Sequence, residues 1–105
     1  MKKIEKIIDF LVDDIGLNPF TNQKRLAYVL YQALDDEEIF NKKNNRMFLK
    51  HAFRTYQSIT YDFETRYGAF ERSIYRYIEE LIPREYVDFH LSVSELIKKY
   101  KEKSA

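Results

Sequence analysis

A chain of 105 residues with 45% apolar side chains and a formal net charge of +1 has room for one globular domain around a single core. It contains no cysteine, which excludes disulfides, thiolate metal sites and cysteine nucleophiles, and it has no apolar run of membrane-spanning length. Only two glycines and two prolines punctuate it, so helices are expected and a many-stranded sheet is not.

The N-terminus carries Lys2 and Lys3, but Glu5, Asp9, Asp13 and Asp14 follow, a pattern unlike a signal peptide. The expectation is a cytoplasmic protein without a membrane segment. Ile4, Ile7, Ile8, Leu11, Val12 and Ile15 recur at three- and four-residue steps and predict an amphipathic helix. Gly16 suits its left-handed C-terminal cap, and Asn18-Pro19 blocks continuation. Thr21 or Asn22 can cap a second helix with Leu26, Val29, Leu30, Ala33 and Leu34 inside. The acids at 35–38 either close that helix or open a short third one anchored by Ile39 and Phe40. Asn41 to Asn45 reads as a loop.

Charge is polarised along the chain. From Ile39 to Tyr61 there is no acidic residue, while Lys42, Lys43, Arg46, Lys50 and Arg54 are basic. A helix is expected over 46–54, with Met47, Phe48, Ala52 and Phe53 inside. Arg46, Lys50 and Arg54 then share one face, with Lys43 extending the row. Such a row can hold phosphates and release their counterions, although a solvated helix face has the same composition.

The spacing of Ile59, Phe63, Phe70 and Ile74 matches a helix-turn-helix, with helices over about 56–63 and 66–81. An ordinary helical hairpin has the same spacing. Thr65 is the expected cap of the second helix, whose inner residues continue through Tyr77, Ile78 and Leu81. Arg66, Arg72, Tyr75, Arg76 and Glu79 stand on its other side. Gly68 in its first turn would let a base edge or backbone come close. Pro83 ends this helix. A short segment from Arg84 to Leu91 leads to a last helix, capped by Ser92 or Ser94, with Val93, Leu96, Ile97 and Tyr100 inside. The fold class expected is all-α, with about six helices in one helix-turn-helix-containing bundle over residues 1–105.

Tyr56, Ile59, Phe63 and Thr65, followed by Phe70-Glu71-Arg72-Ser73-Ile74-Tyr75-Arg76-Tyr77-Ile78-Glu79, carry a family resemblance. So do Ile15-Gly16-Leu17 upstream and Ser94-Glu95-Leu96-Ile97 downstream. The chain resembles the C-terminal DNA-binding (effector) domain of the sporulation initiation response regulator (stage 0 sporulation protein A) family. The resemblance implies an all-helical domain that regulates transcription by binding duplex DNA, and a homodimer as a further partner. It implies that Glu71 and Arg72 approach bases and backbone. Ala69 stands where the family has an arginine, and Tyr67-Gly68 replaces its Pro-Ser or Ala-Ser.

Three functions compete. In the first, the helix from Arg66 enters the major groove, with Arg66, Gly68, Glu71, Arg72 and Tyr75 reading bases. Lys43, Arg46, Lys50, Arg54 and Arg76 hold phosphates. The second is a protein-interaction module of the same fold, favoured by the near-neutral charge, Ala69 and the many tyrosines. The third, an enzyme, is not expected: His51 and His90 are the only histidines, and there is neither a phosphate loop nor a nucleophile motif. No cofactor, metal or small-molecule substrate is expected.

Overall fold

The first apolar stripe forms α1 (Lys2–Phe10), which continues as a π-helical turn over Leu11–Ile15. The computed structural model describes residues 2–18, 24–42, 44–81 and 88–104. Gly16 ends the first segment at φ 89°, and its N–H donates to the Leu11 carbonyl. A left-handed residue is needed there, and glycine adopts that conformation without steric cost. The residues proposed to cap the second helix, Thr21 and Asn22, lie outside the described residues.

Next come α2 (Lys24–Asp35) and the short α3 (Glu37–Asn41). The acid run serves both helices. Asp35 is the last residue of α2, while Asp36 caps α3 by accepting from the Ile39 N–H at 3.1 Å. Glu37 and Glu38 then occupy the first turn, where carboxylates are favoured by the helix dipole. The expected loop over 41–45 is shorter than its composition suggests. Asn41 still belongs to α3, and Asn44 already caps the next helix through the Met47 N–H at 3.0 Å.

That helix, α4 (Asn45–Thr60), corrects the sequence reading most. The expected basic helix and first motif helix are one continuous 16-residue element. It stops at Tyr61, which takes φ 59° and donates its N–H to the Gln57 carbonyl at 2.8 Å. The first motif helix therefore ends before Phe63. Phe63 is 69% exposed and plays no part in the core, contrary to the pattern. Met47, expected inside, is 56% exposed, and Leu49 is buried in its place. Ile59 is half-buried against the core.

A turn over 61–66 leads to α5 (Tyr67–Leu81), and α6 (Phe89–Ser104) completes the fold. Thr65 does not cap α5: the Phe70 N–H bonds to the Arg66 carbonyl, so the helix starts one residue later. Of its expected inner residues, Phe70, Ile74 and Ile78 are fully buried and Tyr77 nearly so, while the side chain of Leu81 lies outside the described ones. Pro83 and the segment to Val87 lie outside the described residues. The last helix begins earlier than Ser92. Asp88 accepts from the Leu91 N–H at 2.9 Å and the Ser92 N–H reaches the Asp88 carbonyl. Ser92 is buried within the helix.

The architecture is thus an all-α bundle of six helices among the described residues. All the other helices pack on α2, whose residues Leu26 to Leu30 and Ala33 are buried. Aromatic side chains carry much of the remaining packing. Tyr28, Tyr56, Phe70 and Phe53 form one chain of ring contacts across α2, α4 and α5, with centroids 5.2–5.4 Å apart. Phe40, Phe48, Phe89 and Tyr75 form another across α3, α4, α6 and α5. Large rings let a small core remove much area from water, which explains the high aromatic content. No described helix is long and apolar enough to cross a membrane.

Candidate functional site

The six-residue connection between α4 and α5 is held by Asp62. One carboxylate oxygen accepts from the N–H groups of Glu64 and Thr65, and the other accepts from the hydroxyls of Tyr56 and Thr65. These donors stabilise the charged form and hold the carboxyl far below the usual carboxylate range. A folded-state pKa below the unfolded value gives stability that is present at neutral pH and is lost as acid protonates the group. Asp62→Asn is therefore expected to lower the urea midpoint at pH 7. The difference from wild type should shrink as pH falls below about 3.8, the carboxyl's ordinary value. An unchanged gap down to pH 2 would remove Asp62 from the acid response.

Arg25 reaches this turn from α2. Its Nη1 donates to the Ser73 hydroxyl at 3.3 Å and its Nη2 to the Thr65 hydroxyl at 3.2 Å, while the guanidinium stands 5.9 Å from the Tyr56 ring centroid. Neither Arg25 nor Asp62 stood out in the sequence. The signal for Asp62 was there, as an aspartate whose side chain can reach the backbone N–H two residues on, at Glu64, which is the Asx turn. Arg25 had none, because its partners lie 40 and 48 residues away.

With the turn fixed, the basic face of α4 meets the first turn of α5. Arg46, Lys50 and Arg54 are all exposed, and among the described residues none is in an ion pair. Together with Asn44, Met47 and His51 they line an open groove of about 430 Å³. Lys50 and Arg54 also border a second groove of about 290 Å³, completed by Phe53, Gln57 and Tyr67. Tyr67 joins the two helices. Its ring lies 5.7 Å from the Lys50 ammonium, and its hydroxyl donates to Glu71 at 2.7 Å. Burial and the Glu71 carboxylate push this phenol well above its ordinary pKa, so it stays a neutral donor. Lys43, the proposed start of the row, lies outside the described residues.

The residues expected to read bases are spread over the end of the turn, at Arg66, and more than one face of α5. Arg66, Gly68 and Arg72 are exposed, and the Arg72 guanidinium lies over Gly68. Glu71 is held on the flank toward α4 by Tyr67. Tyr75 is not on the outer face. It is half-buried and packs on Phe89 with ring centroids 5.5 Å apart, which raises its pKa chiefly by desolvation. Arg76 is exposed and pairs with Glu80 at 3.9 Å.

The histidines sit apart from each other. His51 lines the larger groove, whereas His90 stacks on Phe40 at 4.4 Å and approaches Asn41. Among the described residues no group of His, Asp or Glu gathers that could hold a metal ion. Compared with known proteins, the chain matches no family model, no curated protein and no solved structure.

Proposed function

We propose that this protein binds duplex DNA, and regulates transcription, through the basic face of α4 and the adjoining first turns of α5. The observation that carries the reading is the exposed row of Arg46, Lys50 and Arg54, none of them in an ion pair among the described residues, with Lys50 and Arg54 bordering the groove that Tyr67 completes. Cations without a carboxylate partner are available to phosphates, and a duplex offers phosphates at regular spacing. Arg66, just before α5, and Arg72 on it are exposed, where a guanidinium can pair with guanine. Titration of a random duplex pool across salt concentrations tests the reading. Binding that weakens steeply with salt is expected, and absence of binding at low salt rejects it. Arg72→Ala is expected to lower affinity for a selected site by about 1–3 kcal/mol and to spare random duplex. Equal losses on both would reduce Arg72 to a phosphate contact.

Gly68 gives an independent handle. Its φ is not in the left-handed region, and a methyl group there would meet only the Arg72 guanidinium at 3.8 Å, an ordinary contact. Nothing in the described fold requires glycine at this helical position. Gly68→Ala is expected to stabilise the protein by about 1 kcal/mol in urea unfolding. If a DNA group approaches this turn closely, the same variant binds its site more weakly despite being more stable. A variant that is both more stable and fully active in binding would remove Gly68 from the contact surface.

A protein-interaction module is the second reading. It is favoured by Tyr61 and Phe63, which stand 78% and 69% exposed on the turn. Exposed aromatics are common anchors at protein interfaces. This reading gains if duplex binding is absent at low salt.

A further inference from the structure

We infer that the smaller groove, between α4 and the first turn of α5, takes a single unpaired base of a nucleic acid. The inference rests on the proposed phosphate binding by α4 and assigns a second contact to the same surface. Phe53, Arg54 and Gln57 lie three, four and seven residues after Lys50, so the four share a stripe of α4. Tyr67 closes the groove from α5. The volume of about 290 Å³ lies at the small end of ligand pockets, suited to one planar group.

The lining has the chemistry that a base requires. Phe53 and Tyr67 are half-buried rings 5.8 Å apart and nearly perpendicular, so an entering planar group meets an aromatic face and an aromatic edge. The Lys50 ammonium now stands over the Tyr67 ring and can turn outward to a phosphate when a base replaces it. Gln57 is half-buried, and its side-chain amide has no hydrogen-bond partner among the described residues. It offers a donor and an acceptor side by side, which is what the edge of a base presents. Lys50 and Arg54 border both grooves, so the strand that supplies the base would run onto the basic row. A paired base cannot use this groove, because its faces are stacked and its edge is engaged. Single-stranded or extruded bases have both free.

The test uses the full chain and three probes: a perfect 12-base-pair duplex, the same duplex with one bulged thymine, and one with an abasic bulge. Anisotropy titrations at one low salt concentration give the affinities. The bulged thymine is expected to bind about fivefold or more tighter than the other two, in line with base–aromatic stacking. Gln57→Ala should narrow that preference and leave the perfect duplex unchanged. Equal affinity for all three probes overturns the base site while leaving phosphate binding intact. A bulge preference that the abasic probe reproduces assigns the effect to bending and also overturns it. No binding to any probe removes the reading of α4 and this inference together.

Discussion

Replacing Arg46, Lys50 and Arg54 together with alanine is expected to cost on the order of a hundredfold or more in duplex affinity near 0.1 M salt. The expectation follows from counterion release. Each phosphate neutralised contributes about 0.9 to the slope of log affinity against log salt, so the triple variant should flatten that slope by about 2.7. All three side chains are exposed and none is in an ion pair among the described residues, so their removal leaves no carboxylate unpaired. They also stand on an outer face of α4, opposite the buried Phe48, Leu49 and Ala52. The fold should therefore survive, with an unfolding midpoint close to wild type. An unchanged salt slope in a folded triple variant would show that α4 does not meet the phosphates. The proposed function would then lose its main support.

Phe70→Ala is expected to destabilise the protein by about 3–5 kcal/mol, read as a shift of the urea midpoint. Phe70 is fully buried where α5 meets α4, with ring centroids 5.2 Å from Phe53 and 5.4 Å from Tyr56. Removing the ring leaves a cavity that the neighbouring rings cannot fill without leaving their rotamers. Against a typical domain stability of about 5–15 kcal/mol, this is a large loss. Phe63→Ala is the matched control. The residue type is the same and the sequence pattern places both in one apolar skeleton, yet Phe63 is 69% exposed. Its loss should stay within about 0.5 kcal/mol. Comparable losses at the two positions would restore the helix-turn-helix skeleton as the sequence draws it and contradict the observed end of α4.

The contrast between these phenylalanines shows what local pattern can and cannot settle. Periodicity located the inner faces of α5 and α6, because a repeating stripe survives whatever the helix packs on. It extended the first motif helix too far because Phe63 continues the spacing of Ile59. The helix stops instead where Asp62 offers acceptors to nearby donors and Tyr61 turns left-handed. Side-chain-to-backbone bonds of this kind compete with helix continuation, and spacing alone does not count them. Met47 failed for a different reason: in the continuous α4 the buried face runs through Phe48, Leu49 and Ala52, and Met47 lies outside it. The candidate site was half legible. Its cations could be seen in the acid-free stretch. The position of Tyr67 beside Lys50, and of Tyr75 against Phe89, depends on helix crossings that no local window contains.

By itself, the sequence determined an all-α chain, the left-handed end at Gly16, a short third helix opened by acids, and an acid-free basic face on α4. These are properties of neighbours within one or two turns, so they follow from the 3.6-residue period and from capping chemistry. Only the tertiary structure decided that α2, rather than the helix pair at α4 and α5, is the element on which the other helices pack. It also decided that Arg25 ties α2 to the turn and that the basic face borders an aromatic groove instead of standing alone. Those contacts join residues far apart in the chain, and they form only when burial of the rings on α2, α4 and α5 brings the helices together.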